Sequence, residues 1–473
     1  MEHRYIKTNL LIVVLTFSIQ SYSQIAFQKT FWNADTITNH YGHSVVQLAN
    51  EGYFIAGASV NTQNYVGYGM LKRTNKYGSE LWTNYYSITG QNDMEFSNIQ
   101  NTSDGNFITT GVVNFGFSDP RYYDAYIAKL DTMGNVLWQK NYGGDYRQWT
   151  REVKETSDSG FILGGYNEPN GTAASISYYL VRTNSFGDTT WTRTYDNSGY
   201  QQTGESVEQT TDGGYVIAGH SNSHFTYGVA FIIKTNSTGD TLWTKYLTEL
   251  STSRAYDVIN AHNGNIIVSG YSKLNINGCS QPFLVELDLN GNIIWFDIYE
   301  DGPCGWSYSV TKTNDNGYAL FGMDNNSDGY LIKTDSLGTQ LWHRKFNENS
   351  FISGYNVRQT TDNGFVMTGT TGNMDINVLL IKTNENGDIL NTNEIENKED
   401  IFIYPNPTNA NITIQISEQI QVDYLRVYNS LGQQLLYIEL KEEHIVDLNT
   451  SVLSSGVYYL DIGGIISKKI IKN

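Results

Sequence analysis

Only two cysteines and six prolines occur in 473 residues, so neither a cystine framework nor polyproline segments organise this chain. Charged residues are scarce at 16%, and the 30 Lys and Arg are outnumbered by 48 Asp and Glu, giving a net charge of −18. Nucleic-acid binding is excluded on that balance, because phosphate contacts draw on clustered cations; the acidity serves solubility. Catalytic signatures are also missing: the eight histidines form no ligand pair, and no Gly-x-Ser-x-Gly element occurs. No cofactor motif is found. Carboxylate pairs for glycoside hydrolysis cannot be singled out among so many acids.

What is abundant is glycine (44) and tyrosine (35), together with Asn and Thr. That composition describes short strands and tight turns, an all-β chain. Residues 1–23 read as a signal peptide, with Arg4 and Lys7, an apolar stretch from Leu10 to Phe17, and small residues in Ser21-Tyr22-Ser23. The stretch is about half the ~20 residues needed to span a bilayer. Export to an oxidising compartment permits one disulfide, Cys279–Cys304.

An aromatic-x-apolar-x-Gly element, aromatic in six copies and Ile266 in the fifth, recurs seven times and ends at Gly57, Gly111, Gly165, Gly219, Gly270, Gly322 and Gly369, at intervals of 54, 54, 54, 51, 52 and 47 residues. Each copy follows a turn such as Thr211-Asp212-Gly213-Gly214 and precedes a second turn with Asn or Asp three residues before Gly, as in Asn236/Gly239. Such turns suit hairpins whose residues adopt positive φ. Trp82, Trp138, Trp191, Trp243, Trp295 and Trp342 mark the strand after the second turn. Four antiparallel strands per repeat are the unit of a propeller blade. The seventh repeat has Asn391 in place of Trp, whereas Phe27-Gln28-Lys29-Thr30-Phe31 matches Trp138-Gln139-Lys140-Asn141-Tyr142. The expectation is a seven-bladed β-propeller over residues 24–396, closed by the N-terminal strand, which removes the open sheet edges. Residues 397–400 form a linker.

From residue 401 the repeat stops, and alternating strands predict a small β-sandwich of immunoglobulin-like type through residue 473. Its marks are Pro405-Asn406-Pro407, the Leu431-Gly432 turn, Gly456 and Tyr458 in Ser455-Gly456-Val457-Tyr458, and a basic last strand with Lys468, Lys469 and Lys472. In that order these elements resemble the type A C-terminal sorting domain of type IX secretion cargo in Bacteroidetes; the chain departs from the pattern in ending Lys472-Asn473. The resemblance implies recognition by an outer-membrane translocon and a sortase-like peptidase, and delivery through the periplasm to the cell surface or the medium. The repeats look like propeller segments often joined to such domains, which share no one activity.

Connections between the second and third strands, and between repeats, are the longer ones, and loops on a rigid scaffold concentrate binding residues. Trp149, Trp306, Tyr122, Tyr123 and Tyr146 are the candidate binding aromatics on that loop face, suited to stacking on sugar rings. Arg73, Lys129, Arg182, Lys234, Lys333 and Lys382 recur at one position, with Glu286 as the exception; solvated or inter-blade ion pairs are expected. Asp324-x-Asn326-x-Asp328-Gly329 has the opening spacing of a calcium loop. The functional expectation is a noncatalytic module binding glycan or protein. The alternative is a secreted polysaccharide-degrading hydrolase or lyase using loop-face carboxylates.

Overall fold

A computed structural model describes residues 25–32, 37–88, 93–114, 123–144, 147–169, 176–196, 200–222, 228–273, 278–300, 304–347, 352–372, 375–389, 401–416, 422–429, 432–440, 443–463 and 466–473. The signal-peptide and linker expectations fall outside these residues, as does much of the loop face. Among the described residues there is no α-helix, and no helix is long and apolar enough to cross a membrane.

Residues 27–383 form four-stranded antiparallel sheets in the manner of propeller blades, seven among the described residues. Sheet 1 runs Thr38–Gln47, Tyr53–Asn61, Gly67–Thr74 and Glu80–Tyr86. The first strands of sheets 2 to 7 are Asp93–Asn101, Arg147–Glu155, Gln202–Gln209, Thr252–Asn260, Gly305–Lys312 and Ile352–Gln359. Second and third strands are apolar runs buried on both faces, for example Val229–Thr235, buried throughout. Fourth strands alternate exposed and half-buried residues, as an outer edge does.

Sheet 7 takes its fourth strand from the other end of the chain: Phe27–Phe31 pairs antiparallel with Asn377–Thr383, with Phe27 opposite Lys382 and Phe31 opposite Val378. The contacts between sheets explain the sequence match. The second-turn glycine of each repeat lies against the tryptophan of the preceding one: Gly239 on Trp191, Gly291 on Trp243, Gly387 on Trp342. These glycines have φ near +80°, so they give the turn its hand and leave room for the indole. Gly78, in sheet 1, meets Phe27 instead. Sheets 7 and 1 are also hydrogen-bonded directly, His40 N donating to Ile376 O at 2.8 Å and Thr361 N to Gln47 Oε1 at 2.9 Å.

In five sheets the repeated cation of the third strand is largely buried and paired within its own sheet, which corrects the expectation there; Arg73 of sheet 1 instead reaches Met133 Sδ of sheet 2 at 3.7 Å. Lys234 Nζ lies 2.9 Å from Asp212 Oδ2, in the first turn of its own sheet, and is fully buried. Lys129–Asp104, Arg182–Asp158, Lys333–Asp315 and Lys382–Asp362 repeat the pair. Sheet 5 carries Asn263 at the turn in place of Asp, and there the third strand carries Glu286, whose Oε1 accepts from Asn263 Nδ2 at 2.8 Å. A buried charge needs a complementary partner, and in sheet 5 the two positions change together; sheet 1 keeps a cation, Arg73, with Asn50 at the turn position.

The C-terminal residues form a three-stranded sheet (Ile401–Tyr404, Asn411–Ile416, Ile445–Asn449) and a four-stranded one (Gln434–Glu439, Tyr424–Asn429, Gly456–Ile462, Ile466–Lys472). Ile412, Ile414, Val427, Leu460 and Ile470 are buried in one apolar core shared by the two sheets. The Asn406 side chain joins the last strand, accepting from Ile471 N at 2.8 Å and donating to Lys469 O at 2.7 Å; Pro405 and Pro407 on either side follow cis peptide bonds. Tyr458 Oη donates to Ser454 O at 2.7 Å, and Gly432 has φ +75°. Gly456 opens its strand and Lys472 closes the last one. Leu431 lies outside the described residues.

Candidate functional site

Every first strand carries a β-bulge at one position, where one extra residue interrupts its pairing with the second strand. The extra residues are His43, Ser97, Arg151, Glu205, Tyr256, Tyr308 and Tyr355. A bulge re-aims a side chain out of the ladder, and here all seven line a single cavity of about 250 Å³ to which every sheet contributes. The next residue in each strand is small or acidic and buried: Ser44, Asn98, Glu152, Ser206, Asp257, Ser309 and Asn356. Several of these accept the backbone N–H freed by the following sheet's bulge. Val258 N donates to Ser206 Oγ at 3.2 Å, Val310 N to Asp257 Oδ2 at 2.9 Å, and Val45 N to Asn356 Oδ1 at 3.2 Å. The floor of the cavity is therefore structural.

Its walls differ around the circuit. One side is an aromatic arc: Tyr256 and Tyr308 have ring centroids 4.8 Å apart, Tyr308 and Tyr355 5.9 Å, and Tyr355 and His43 5.6 Å. The other side is charged. Arg151 Nε lies 2.9 Å from Glu205 Oε2, and His43 Nδ1 lies 3.4 Å from Glu95 Oε1 and 3.0 Å from Phe96 O. Burial lifts Glu205 above the ordinary carboxylate range against the pull of Arg151 and Arg254, and Glu205 in turn raises Arg151.

Deeper in, Lys154 Nζ lies 2.8 Å from Glu152 Oε1 and 3.6 Å from Glu208 Oε2. Ser206 Oγ joins Glu152 to Asp257, 2.9 Å from Asp257 Oδ1. One hydroxyl has one proton to donate, so a single additional proton on the carboxylate pair completes this chain of oxygens. Burial, then the charge of Glu152, push Asp257 up to about 6.

Trp149 and Trp306 stand within the first strands of sheets 3 and 6, not in the connections where sequence placed them. The Trp149 ring lies 5.9 Å from the Arg151 guanidinium, and Trp306 meets Tyr271, which in turn lies 6.1 Å from Tyr256, so both stand beside the cavity without being among its lining residues. Trp149 packs with Tyr123 at 5.5 Å and Tyr166 at 6.1 Å, while Trp306 meets Tyr271 edge-on at 6.3 Å. Tyr123 Oη donates to Asp93 Oδ2 at 3.0 Å. Tyr122 and Tyr146 lie outside the described residues. Cys279 and Cys304 are joined, with Cα atoms 5.6 Å apart.

The Asp324 segment is the hairpin between the second and third strands of sheet 6. Asp324 Oδ1 accepts from Asn326 N at 2.8 Å and Asp328 N at 2.9 Å, and Oδ2 accepts from Lys345 Nζ at 2.7 Å. Its oxygens are thus committed within the protein. Among the described residues no three His, Cys, Asp or Glu side chains gather as a metal site. Sequence reasoning overlooked the cavity because its residues share a position but no chemistry; the constant neighbours, a small or acidic residue followed by Val or Ile, were the available signal.

Comparison with known proteins bears first on the C-terminal part. Residues 402–473 match the family described as the secretion system C-terminal sorting domain. No curated protein matches the chain. Among solved structures, it is similar to PorZ, a surface component of the type IX secretion system of Porphyromonas gingivalis, at 11% identity and TM-score 0.34, covering 89% of this chain and 74% of that one. It is also similar to a family 25 polysaccharide lyase, an ulvan lyase, at 8% identity and TM-score 0.48, covering 74% and 95% respectively. With its terminal β-sandwich matching that family, the chain is an exported all-β repeat protein that carries a type IX secretion C-terminal sorting domain and is delivered to the cell surface or the medium.

Proposed function

We propose that the repeat domain is a noncatalytic glycan-binding module and that its ligand enters the cavity built by the seven bulges. The observation that carries this reading is the arc of Tyr256, Tyr308 and Tyr355 facing the polar wall of Glu95, Arg151 and Glu205 in one cavity. Aromatic faces offer apolar area to the C–H side of a sugar ring, and convergent polar groups orient its hydroxyls. Trp149 and Trp306, beside the cavity, extend the aromatic surface. The sorting domain engages the translocon and a sortase-like peptidase that carry the module outward.

A polysaccharide-degrading enzyme is the second reading, favoured by four carboxylates, Glu95, Glu152, Glu205 and Asp257, lining the same cavity. Three of them are committed: Glu152 and Asp257 to Ser206 and to Lys154 or Val310 N, and Glu205 to Arg151. A hydrolase canonically works with a pair of carboxyl groups flanking the bond it breaks; the internal commitments of these three weigh against the hydrolase form of this reading and do not bear on a lyase.

The test is a glycan array and polysaccharide pull-down with the full-length chain, with release of reducing ends assayed on every binder, alongside the Tyr308→Ala variant. Retention lost in the variant, without release of ends, is the expected result. Release of ends moves the assignment to the enzyme, and retention unchanged by the variant removes the cavity from the account.

A further inference from the structure

Whether the cavity selects an anion, a neutral sugar or a cation depends on the charge of its walls. The lining residues include four carboxylates and one guanidinium, with His43 beside Glu95. Arg254, Arg358, Lys312 and Lys154 stand next to them, Arg254 acting on Glu205, Arg358 on Asp257 and Lys312 on Glu208, all away from Glu95 in the floor and far wall. Arg151 and Lys154 therefore spend their charge on Glu205, Glu152 and Glu208. The carboxylate of Glu95 is the most accessible, 28% exposed against 11% for Glu205 and 9% for Glu152, and its one ion-pair contact is an imidazole at 3.4 Å. Opposite it stand tyrosine faces, whose quadrupoles attract cations and repel anions.

We propose that this cavity takes a protonated amine carried on a sugar ring, a terminal amino-sugar unit, with the ammonium held by Glu95 and the ring against Tyr308 and Tyr355. The inference rests on the glycan-binding reading and deepens it.

The size limits the ligand as well: about 250 Å³ is below the ~300–1,000 Å³ of a pocket for a drug-sized molecule, so it accommodates the end of a glycan and not an internal run.

The experiment is calorimetric titration of the full-length chain with four probes of similar length: a β-1,4-linked glucosamine trisaccharide, its N-acetylated counterpart, cellotriose and a trigalacturonate. A lysine-rich peptide serves as a fifth. The glucosamine trisaccharide is expected to bind at least ~10-fold more tightly than the N-acetylated and neutral sugars. Glu95→Gln is expected to remove that preference, bringing the glucosamine and cellotriose affinities to within ~2-fold of each other. Tyr308→Leu is expected to weaken all sugars together.

Equal binding of the amine, N-acetyl and neutral probes overturns the amine inference and leaves the glycan reading standing. Tighter binding of trigalacturonate does the same. Binding of the peptide with none of the sugars overturns both, as does binding of nothing at all. A glucosamine preference that survives Glu95→Gln overturns the role given to that residue.

Discussion

Replacing Asp212 by Asn removes one charge and almost no volume, yet it opposes a fully buried ammonium. Lys234 Nζ donates to Asp212 at 2.9 Å and to Thr235 O at 2.9 Å. Asp212 also accepts from Thr210 Oγ1 at 2.6 Å and Gly214 N at 3.0 Å, and an asparagine oxygen keeps those bonds. Removing one partner of a buried pair costs ~3–5 kcal/mol; because the Asp212 side chain is 38% exposed, solvent screening places the expected loss at the lower end, about 3 kcal/mol. Lys234→Met, by contrast, leaves a carboxylate that water reaches, and the expected loss is about 1 kcal/mol or less. The double change Asp212→Asn with Lys234→Glu imitates the Asn263/Glu286 pair of sheet 5 and recovers part of the loss.

The assay is urea unfolding of the full chain followed by tryptophan fluorescence, at pH 7 and at stepwise lower pH. The sign of the pH effect follows from Asp212. Burial alone raises its pKa, but hydrogen bonds from Thr210 and Lys234 outweigh that and hold it below the ordinary carboxylate value. Its stabilisation is therefore complete above that ordinary value and is lost as the pH falls through the lower, folded one. The difference between wild type and Asp212→Asn should shrink over that interval. Equal losses for Asp212→Asn and Lys234→Met, or a difference unchanged in acid, would refute the argument that the buried cation sets the cost.

Three other outcomes are expected. Gly291→Ala places a Cβ 3.1 Å from the Trp243 ring at φ +83°, and a loss of ~1–3 kcal/mol is expected in the same unfolding assay. Asn406→Ala removes two hydrogen bonds to the last strand, worth ~1–2 kcal/mol together; the terminal sandwich should melt earlier in a calorimetric scan, and less chain should reach the medium. Asp257→Asn bears on the raised carboxylate of the cavity floor: the folded state holds that proton more tightly than the unfolded one, so wild-type stability should rise as the pH is lowered from about 6 toward the ordinary carboxylate value of ~4. The variant should flatten that part of the profile, and an unaltered profile would count against the shared proton.

Much of the fold was legible in the chain because a repeated position must solve the same packing problem each time. Glycine three residues after Asn or Asp, and a tryptophan four residues beyond it, recur because turn glycine and indole of successive sheets occupy one contact. Phe27 could be assigned to the last sheet for the same reason, as Gly78 lies against it as other turn glycines lie against tryptophan. The sorting domain was legible from ordered motifs, and the Asn406 bonds to the last strand give one of them its physical meaning.

The cavity was not legible. Its residues, His43, Ser97, Arg151, Glu205, Tyr256, Tyr308 and Tyr355, recur at one repeat position but have no common side-chain type, so nothing in the residues themselves says that they converge. Exposure of aromatics drew attention to Trp149, Trp306 and their loop neighbours, whereas the bulge turns a different residue inward in each sheet. Likewise the repeated cation reads as a surface charge until the hairpin folds back and sets the turn carboxylate beside it. By itself the sequence determined the strand unit, its repetition, the pairing of the N-terminal strand with the last sheet and the C-terminal sorting domain, all of which depend on local geometry or on pairing that recurs. Only the tertiary structure decided which side chains share one space, because that depends on the summed placement of seven separate sheets and not on any one of them.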